Sequence, residues 1–434
     1  MSEGSHAVRA EVESFLDDQW SLELTVREWW QRLAQSGWGF PTWPVEWFGR
    51  GGDADVLTLA SRIFHERGVL GAPGGLGQTM GGPVVMQHGN EEQCRRFLPG
   101  LAAGTEGWCQ FFSEPGAGSD LAGAQTRAVR DGDEWIVNGQ KVWTSGALST
   151  ERGMLLARTD LDAPKHKGLG YFIIEVDQPG IEIRPLKQMT GQSHFNEVFF
   201  TDARVADANL IGRPGDGWAA ATTTLAYERG NRAGTVGVAA GAGGSRRGGL
   251  LDRVVGDVIE EARALRARTS ESADARNPGI VGRTSPVSLV AEFERDDDPI
   301  VRQRVSQYYS LIRLSEMNRE RSRAEAAAGR SPGPASSTTK LFRSVATRLN
   351  RDLGPQILGA HAMLVGPEAA VGGAVAASTV QAPSTSIAGG TDEVQRNIIG
   401  ERVLGLPREP DDSRTLPFRE LKVGTQRPDR GAGS

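Results

Sequence analysis

Apolar residues first recur at helical spacing. Val8, Val12, Phe15 and Leu16 fall on one face of a helix, and Val56, Leu59, Ile63 and Phe64 on one face of another. Pro83 suits the first turn of a helix that Gly89 closes after His88, and Asn90 with Gln93 three residues on forms a capping box for the next. From about residue 109 the period changes. Trp135-Ile136-Val137 and Gln140 to Trp143 flank Asn138-Gly139, which predicts a hairpin turning at Asn-Gly. Tyr171–Val176, Ile181–Ile183 and Val198–Thr201 are further strand candidates. The helical period resumes at Gly217-Trp218 and runs, interrupted, to about Leu404.

These changes divide the chain into a helical part at 1–108, a β part at 109–207, a second helical part at 208–410 and a tail at 411–434. Residues 269 to 299, with Asn277-Pro278-Gly279, Ser285-Pro286 and Asp296 to Pro299, read as a turn-rich connection between long helices. Gly241 to Gly249 would make a helix weak in propensity, held by tight packing. The tail is polar and rich in Arg, Pro and Gly, so it is expected to be disordered or laid over a neighbouring subunit.

Composition narrows the function classes. At 434 residues the chain has room for two or three domains, and a net charge of -5 without a sustained basic run argues against nucleic acid and anionic membranes. No run approaches the roughly 18 apolar residues of a membrane span, and no secretory signal opens the chain, so a soluble, cytoplasmic protein is expected. Cys94 and Cys109, the only cysteines, read as buried free thiols rather than a disulfide framework or zinc site.

Two blocks carry the chemistry. In Phe111 to Gly123 the run Ser113-Glu114-Pro115-Gly116-Ala117-Gly118-Ser119-Asp120 offers close backbone approach and hydroxyls for a polar planar ring; in Ser386 to Asn397, Gly389-Gly390-Thr391 precedes an acidic helix start. Together with Asn138 to Gly146 these blocks resemble the acyl-CoA dehydrogenase family, flavoenzymes that desaturate acyl thioesters. The resemblance covers about residue 10 to Pro410 and implies an α+β architecture: a helical N-terminal domain, a central β domain and a C-terminal four-helix bundle that mediates assembly.

The resemblance also implies FAD as cofactor. Ser113, Gly118 and Ser119 would line its pyrimidine edge, Trp143 would pack on the isoalloxazine and Ser145 would bond the N5 region. Gln356 and Gly359, in a segment that meets FAD across a dimer interface, would join Thr391 and Glu393 in holding the rest. Ser119, Arg229 and Gly390 would touch the acyl-CoA. Read singly, Trp143 could be strand core and Ser145 a turn hydroxyl.

The position before Gly-Thr, where many members carry the catalytic glutamate, is Gly389. Its backbone N–H can still serve the thioester oxygen, so the base must come from elsewhere. Glu228 matches the helix on which isovaleryl and long-chain members place theirs, three residues after Leu225 and seven after Ala221 on an apolar face, where desolvation would raise its pKa. A surface ion pair from Glu228 to Arg232 is the plain alternative. Asp392 is a weaker candidate base, and the charge of Glu393 would oppose a pyrophosphate. Two family features are missing: an Arg-x-x-Phe-Gly motif between 260 and 345, and an aspartate where Ala226 stands.

The expected reaction is therefore α,β-desaturation, with Glu228 removing the α proton while hydride passes from Cβ to flavin N5. Electrons would go to an electron-transferring flavoprotein, from a homodimer or homotetramer. A base on this helix and an empty position at 389 suit long, branched or bulky acyl groups. The alternatives are a non-catalytic or half-site subunit of a heteromer with a homologue, or a flavin oxidase or monooxygenase on the same fold.

Overall fold

The helical periodicity of the N-terminal part is realised in α1 (Glu3–Gln19), α2 (Val26–Ser36) and α3 (Ala54–Glu66). The structure is a computed structural model that describes residues 3–230, 249–270, 284–328, 337–364, 366, 369–410 and 412–421. Gly241 to Gly248 and Asn277-Pro278-Gly279 lie outside the described residues. α4 (Gly82–His88) carries Pro83 in its first turn and ends at Gly89, and α5 (Glu91–Ala102) opens on the reciprocal Asn90–Gln93 box. Trp29, Trp30, Leu33, Phe64, Phe97 and Leu98 from these helices meet in one core.

An eight-stranded sheet follows. Its strands are β1 (Trp108–Phe111), β2 (Arg127–Asp131), β3 (Glu134–Ser145), β4 (Arg152–Arg158), β5 (Leu169–Glu175), β6 (Ile181–Leu186), β7 (Phe195–Ala206) and β8 (Leu210–Ile211). They run in the order β6-β7-β3-β2-β4-β5-β8, with β1 parallel to β4 beside the path. β4 and β5 are covered on both faces. Met154, Leu156, Tyr171 and Ile173 join the helical core, while Leu155, Ala157, Phe172 and Ile174 join a second core with Trp135, Val137 and Phe200. Double burial explains why both strands are continuous apolar runs rather than alternations.

The hairpin expected at Asn138-Gly139 is not formed. β3 passes straight through, and the turn from β2 lies at Gly132-Asp133, where Asp131 pairs with Glu134. Gly139 (φ +153°) instead marks a break in the β3–β7 register, and a Cβ there would lie 2.5 Å from Thr126 Oγ1. The glycine thus serves close passage of a neighbouring segment, not a reversal.

α6 (Gly217–Gly230) packs on β5 and α4, and α7 (Val255–Ser270) contributes Val255, Val258 and Ile259 to the N-terminal core. The chain separates by packing into two units, one holding residues 1–188, 193–263 and 410–434, the other 189–192 and 264–409. In the second unit α8 (Pro286–Glu292) interrupts the segment read as a turn-rich connection. α9 (Pro299–Ala327), α11 (Ala374–Thr385), α12 (Asp392–Arg402) and α8 surround α10 (Ser337–Leu358). Leu289, Val301, Tyr308, Leu353, Ile357 and Val375 form their common core.

The tail departs from expectation where it is described. Residues 412–421 lie against the chain's own middle region, with Phe418 buried and Pro417 bridged to Pro164; residues 422–434 fall outside the described residues. A single aromatic anchor outweighs the polar composition around it. Both cysteines are free and buried, and burial pushes the Cys109 thiol up to about 12. Among the described residues no helix is long and apolar enough to cross a membrane.

Candidate functional site

The first block is a turn fastened to a strand. Glu114 and Ala117 exchange backbone hydrogen bonds of 2.9 and 3.1 Å, leaving Pro115 and Gly116 at the tip. The Glu114 side chain turns inward: Oε1 accepts from Lys141 Nζ at 2.7 Å and from Thr126 N at 2.9 Å, and Oε2 accepts from Gln125 N at 2.7 Å. Lys141 is fully buried and also donates to Phe112 O at 2.9 Å, while Val142 N donates to Ser113 O at 2.9 Å. Burial holds the Lys141 ammonium below its usual range despite the partner carboxylate. At Glu114 burial works against the charge, but Lys141 and the hydrogen bonds outweigh it, so the carboxyl lies below its ordinary value.

Lys141 was not singled out from the sequence. It lies beyond the register break at Gly139, where the simple in-out alternation of Trp135 and Val137 no longer holds, so the strand pattern alone does not reach it.

Two residues beyond the pinned lysine, Trp143 adopts φ +61° where the β3–β7 ladder slips, and it is 57% exposed. It is therefore not strand core. Its indole stands edge-on to Phe195, centroids 5.7 Å apart. A left-handed backbone at an exposed aromatic is strain that packing alone does not explain and that a ligand contact would. Ser113 is partly buried, and Gly118, Ser119 and Ser145 are exposed. A Cβ on Gly118 would meet nothing within 4 Å, so packing within the chain does not demand a glycine there. Thr144 Oγ1, between Trp143 and Ser145, is buried without a hydrogen-bond partner. Trp143→Gly is expected to keep thermal stability within about 1 kcal/mol of the parent, because lost strain offsets the lost Phe195 contact. Denaturant titration of parent and variant checks this.

α6 is anchored along one face by Ala220, Ala221 and Thr224. The Thr224 hydroxyl meets Tyr171 Oη at 3.1 Å, and Thr223 Oγ1 meets His88 Nε2 at 2.8 Å. The buried face fades at Leu225, and Ala226, Tyr227 and Glu228 in the last turn are exposed. Glu228 is exposed, where the sequence places it on a desolvated apolar face. The Arg229 side chain and Arg232 lie outside the described residues.

The second unit builds the other block. Gly389 (φ +68°) and Gly390 (φ +88°) turn the chain into α12, and Gln395, fully buried, donates from Nε2 to Gly389 O at 3.1 Å. A Cβ on Gly390 would sit 2.6 Å from that Nε2, whereas around Gly389 a Cβ would meet nothing within 4 Å. Gln395 fixes this turn and was missed in the sequence, where nothing distinguishes it from an ordinary helix glutamine.

Thr391 caps α12 through Oγ1, accepting from Val394 N at 3.2 Å. Asp392 is buried between Lys340 Nζ (2.8 Å) and Arg348. Burial opposes its charge, but hydrogen bonds from both cations hold it far below the usual carboxylate range, which makes it a poor base. Glu393 is exposed and paired with Arg396 at 3.1 Å. Gln356 Oε1 accepts from Arg304 at 2.8 Å, and Gly359 (φ +58°) ends α10.

Comparison with known proteins accounts for these blocks. The profile of the acyl-CoA dehydrogenase N-terminal domain matches residues 2–105, that of the middle domain 109–203 and that of the C-terminal domain 291–404. Acyl-CoA dehydrogenase IpdE1 of Mycobacterium tuberculosis is 36% identical over 388 residues, 88% of each chain. Among solved structures, a variant of the Tcur3481-Tcur3483 steroid ACAD is 25% identical with a TM-score of 0.62, over 94% of this chain and 99% of that one. The ChsE4-ChsE5 complex from M. tuberculosis is 27% identical with the same score and the same coverage. Three domain profiles in sequence order, and a relative 36% identical and matched along most of its length, show that this chain belongs to the acyl-CoA dehydrogenase family.

Proposed function

We propose that the chain is an FAD-dependent acyl-CoA dehydrogenase for a bulky or branched acyl thioester, with Glu228 as the base and an electron-transferring flavoprotein as the acceptor. The observation that carries this reading is Gly389: a left-handed turn without a carboxylate, with open space where a side chain would begin. In this reading an absent side chain at 389 would make room for a bulky acyl group and hand the proton-accepting role to another residue. The names of the relatives support bulk in the acyl group, since one solved neighbour is named a steroid ACAD.

The donor set suits FAD. Exposed Ser119, Ser145 and the open backbone at Gly118 offer hydrogen bonds to a flat polar edge, exposed Trp143 offers an aromatic wall, and the orphaned Thr144 hydroxyl lies between Trp143 and Ser145 in the chain. When bound, FAD would supply the hydride acceptor. The chain's own residues do the rest. Gly389 N–H polarises the thioester oxygen, which acidifies the α carbon enough for a carboxylate to act, and Glu228 takes that proton. In this reading exposed Trp143 would cover one face of the bound ring.

The test is anaerobic bleaching of the purified yellow protein by a panel of acyl-CoA thioesters. Ring-bearing or branched thioesters should react at least about tenfold faster than a short straight-chain one; the reverse order would refute the substrate class. A second reading, a half-site subunit completed by a homologue, is favoured by the exposure of Glu228 and by the two-component names of the solved neighbours. It requires a colourless protein alone that turns yellow when produced with its partner.

A further inference from the structure

Residues 412–421 lie beyond the segment matched by the C-terminal domain profile, which ends at 404. They are nonetheless built into the middle region. Phe418 N donates to Ala163 O at 3.0 Å, Arg419 N donates to Leu161 O at 3.1 Å, and the Arg419 guanidinium pairs with Asp162. Phe418 is 5% exposed because its ring covers the guanidinium of Arg158, with Cζ 3.6 Å from the ring centroid.

Arg158, the last residue of β4, is itself only 2% exposed. Its hydrogen bonds to described residues go to backbone carbonyls: Ala122 O at 2.5 Å, Lys165 O at 2.6 Å and Ala124 O at 3.3 and 3.4 Å. A buried cation that bonds carbonyls relies on the π face above it to keep water out, while Glu114, Asp120 and Asp160 offset its charge from farther away. Burial lowers its pKa to about 10, the direction expected for so dry a site.

The carbonyls that Arg158 grips close the glycine-rich block. Leu121–Gly123 form a short 3-10 turn, with Gly123 N bonded to Asp120 O at 2.9 Å and Ala124 N to Leu121 O at 3.1 Å. Asp120 also pairs with Lys165 at 2.7 Å, on the same loop whose carbonyl Arg158 holds. The near end of the block is therefore fixed by Lys141 through Glu114, and the far end by Arg158 under Phe418.

We propose that Phe418, acting through Arg158, is a positioning residue for residues 113–124, so that this C-terminal strap sets the edge against which cofactor and thioester lie. The functional half of this statement rests on the reading of residues 113–119 as a flavin edge; the structural half does not.

The experiment compares the full-length parent with Phe418→Leu, Phe418→Ala and Phe418→Trp. Amide hydrogen exchange is measured without added ligand, and the Kd for FAD is measured by titration of the stripped protein. Phe418→Leu keeps an apolar plug but removes the ring, so it should stay folded. Exchange at Gly123 and Ala124 should then rise about tenfold, with β5 amides unchanged, and the Kd for FAD should rise severalfold. The alanine variant should exceed both effects and the tryptophan variant should restore parental values. Unchanged exchange at 121–124 in both the leucine and alanine variants, with loosening confined to 161–164, would overturn the proposal and leave the strap a surface seal. A parent that binds no FAD would defeat the flavin reading, while exchange would still decide the coupling.

Discussion

Replacing Glu228 with glutamine is expected to slow bleaching of bound flavin by a bulky acyl-CoA by about a hundred- to ten-thousandfold, the usual reach of a positioned general base. Binding should survive, because the change is isosteric. Glu228 is exposed in the last turn of α6, so stability should shift by no more than about 0.5 kcal/mol. The size of the effect follows from the state of the other carboxylates. Asp392 is locked between Lys340 and Arg348, Glu393 is turned outward to Arg396, and position 389 has none. Stopped-flow reduction of parent and variant with the same thioester is the measurement. Equal rates would remove Glu228 from the chemistry and favour a base from a homologous subunit.

The second large effect concerns stability. Lys141→Met should cost about 3–5 kcal/mol, because it leaves the Glu114 carboxylate buried without its cation. Adding Glu114→Gln to that variant should recover much of the loss, since a neutral amide can still accept from Thr126 or Gln125 and methionine fills the lysine's space. Denaturant titration of the single and double variants reads both numbers. Acid gives an independent check. The folded carboxyl of Glu114 lies below its ordinary 4.5, so its contribution is complete above that pH and is lost as pH falls through the lower folded value. The parent should therefore lose stability on acidification below 4.5 more steeply than the double variant. A loss below about 1 kcal/mol in Lys141→Met would mean that the turn relaxes around the unpaired charge.

Local signals carried well from sequence to structure. The Asn90–Gln93 box, Pro83 in the first turn of α4, the face of α1 through Val12 and Leu16, and the strands around Tyr171 and Val198 each depend on neighbours a few residues away. What misled were signals whose meaning is set from afar. Asn138-Gly139 has the chemistry of a tight turn, yet Gly139 is glycine because Thr126 crosses it. The tail has the composition of a disordered segment, yet Phe418 finds a guanidinium 260 positions earlier in the chain.

The candidate site divides along the same line. The two glycine blocks were legible as blocks, with Trp143 and Ser145 beside the first. The groups that fix them, Lys141 under Glu114 and Gln395 under Gly389, were not, because a strand lysine and a helix glutamine read as ordinary polar positions until the turn each one holds is in place. Glu228 was legible as part of a helix, while its exposure in the last turn was not.

The packing of α7 bears on how the chain folds as it is made. Val255, Val258 and Ile259 belong to the N-terminal core that Trp29 and Leu33 share, and the backbone is stitched there by Val26 N to Arg253 O at 2.9 Å and Val255 N to Leu24 O at 2.8 Å. During synthesis the N-terminal helices therefore emerge with Trp29, Leu33 and their neighbours incompletely covered, and they stay so while nearly two hundred further residues are translated. At roughly 5–20 residues per second that interval lasts on the order of ten seconds or more, long enough for chaperones to act on the nascent apolar surface.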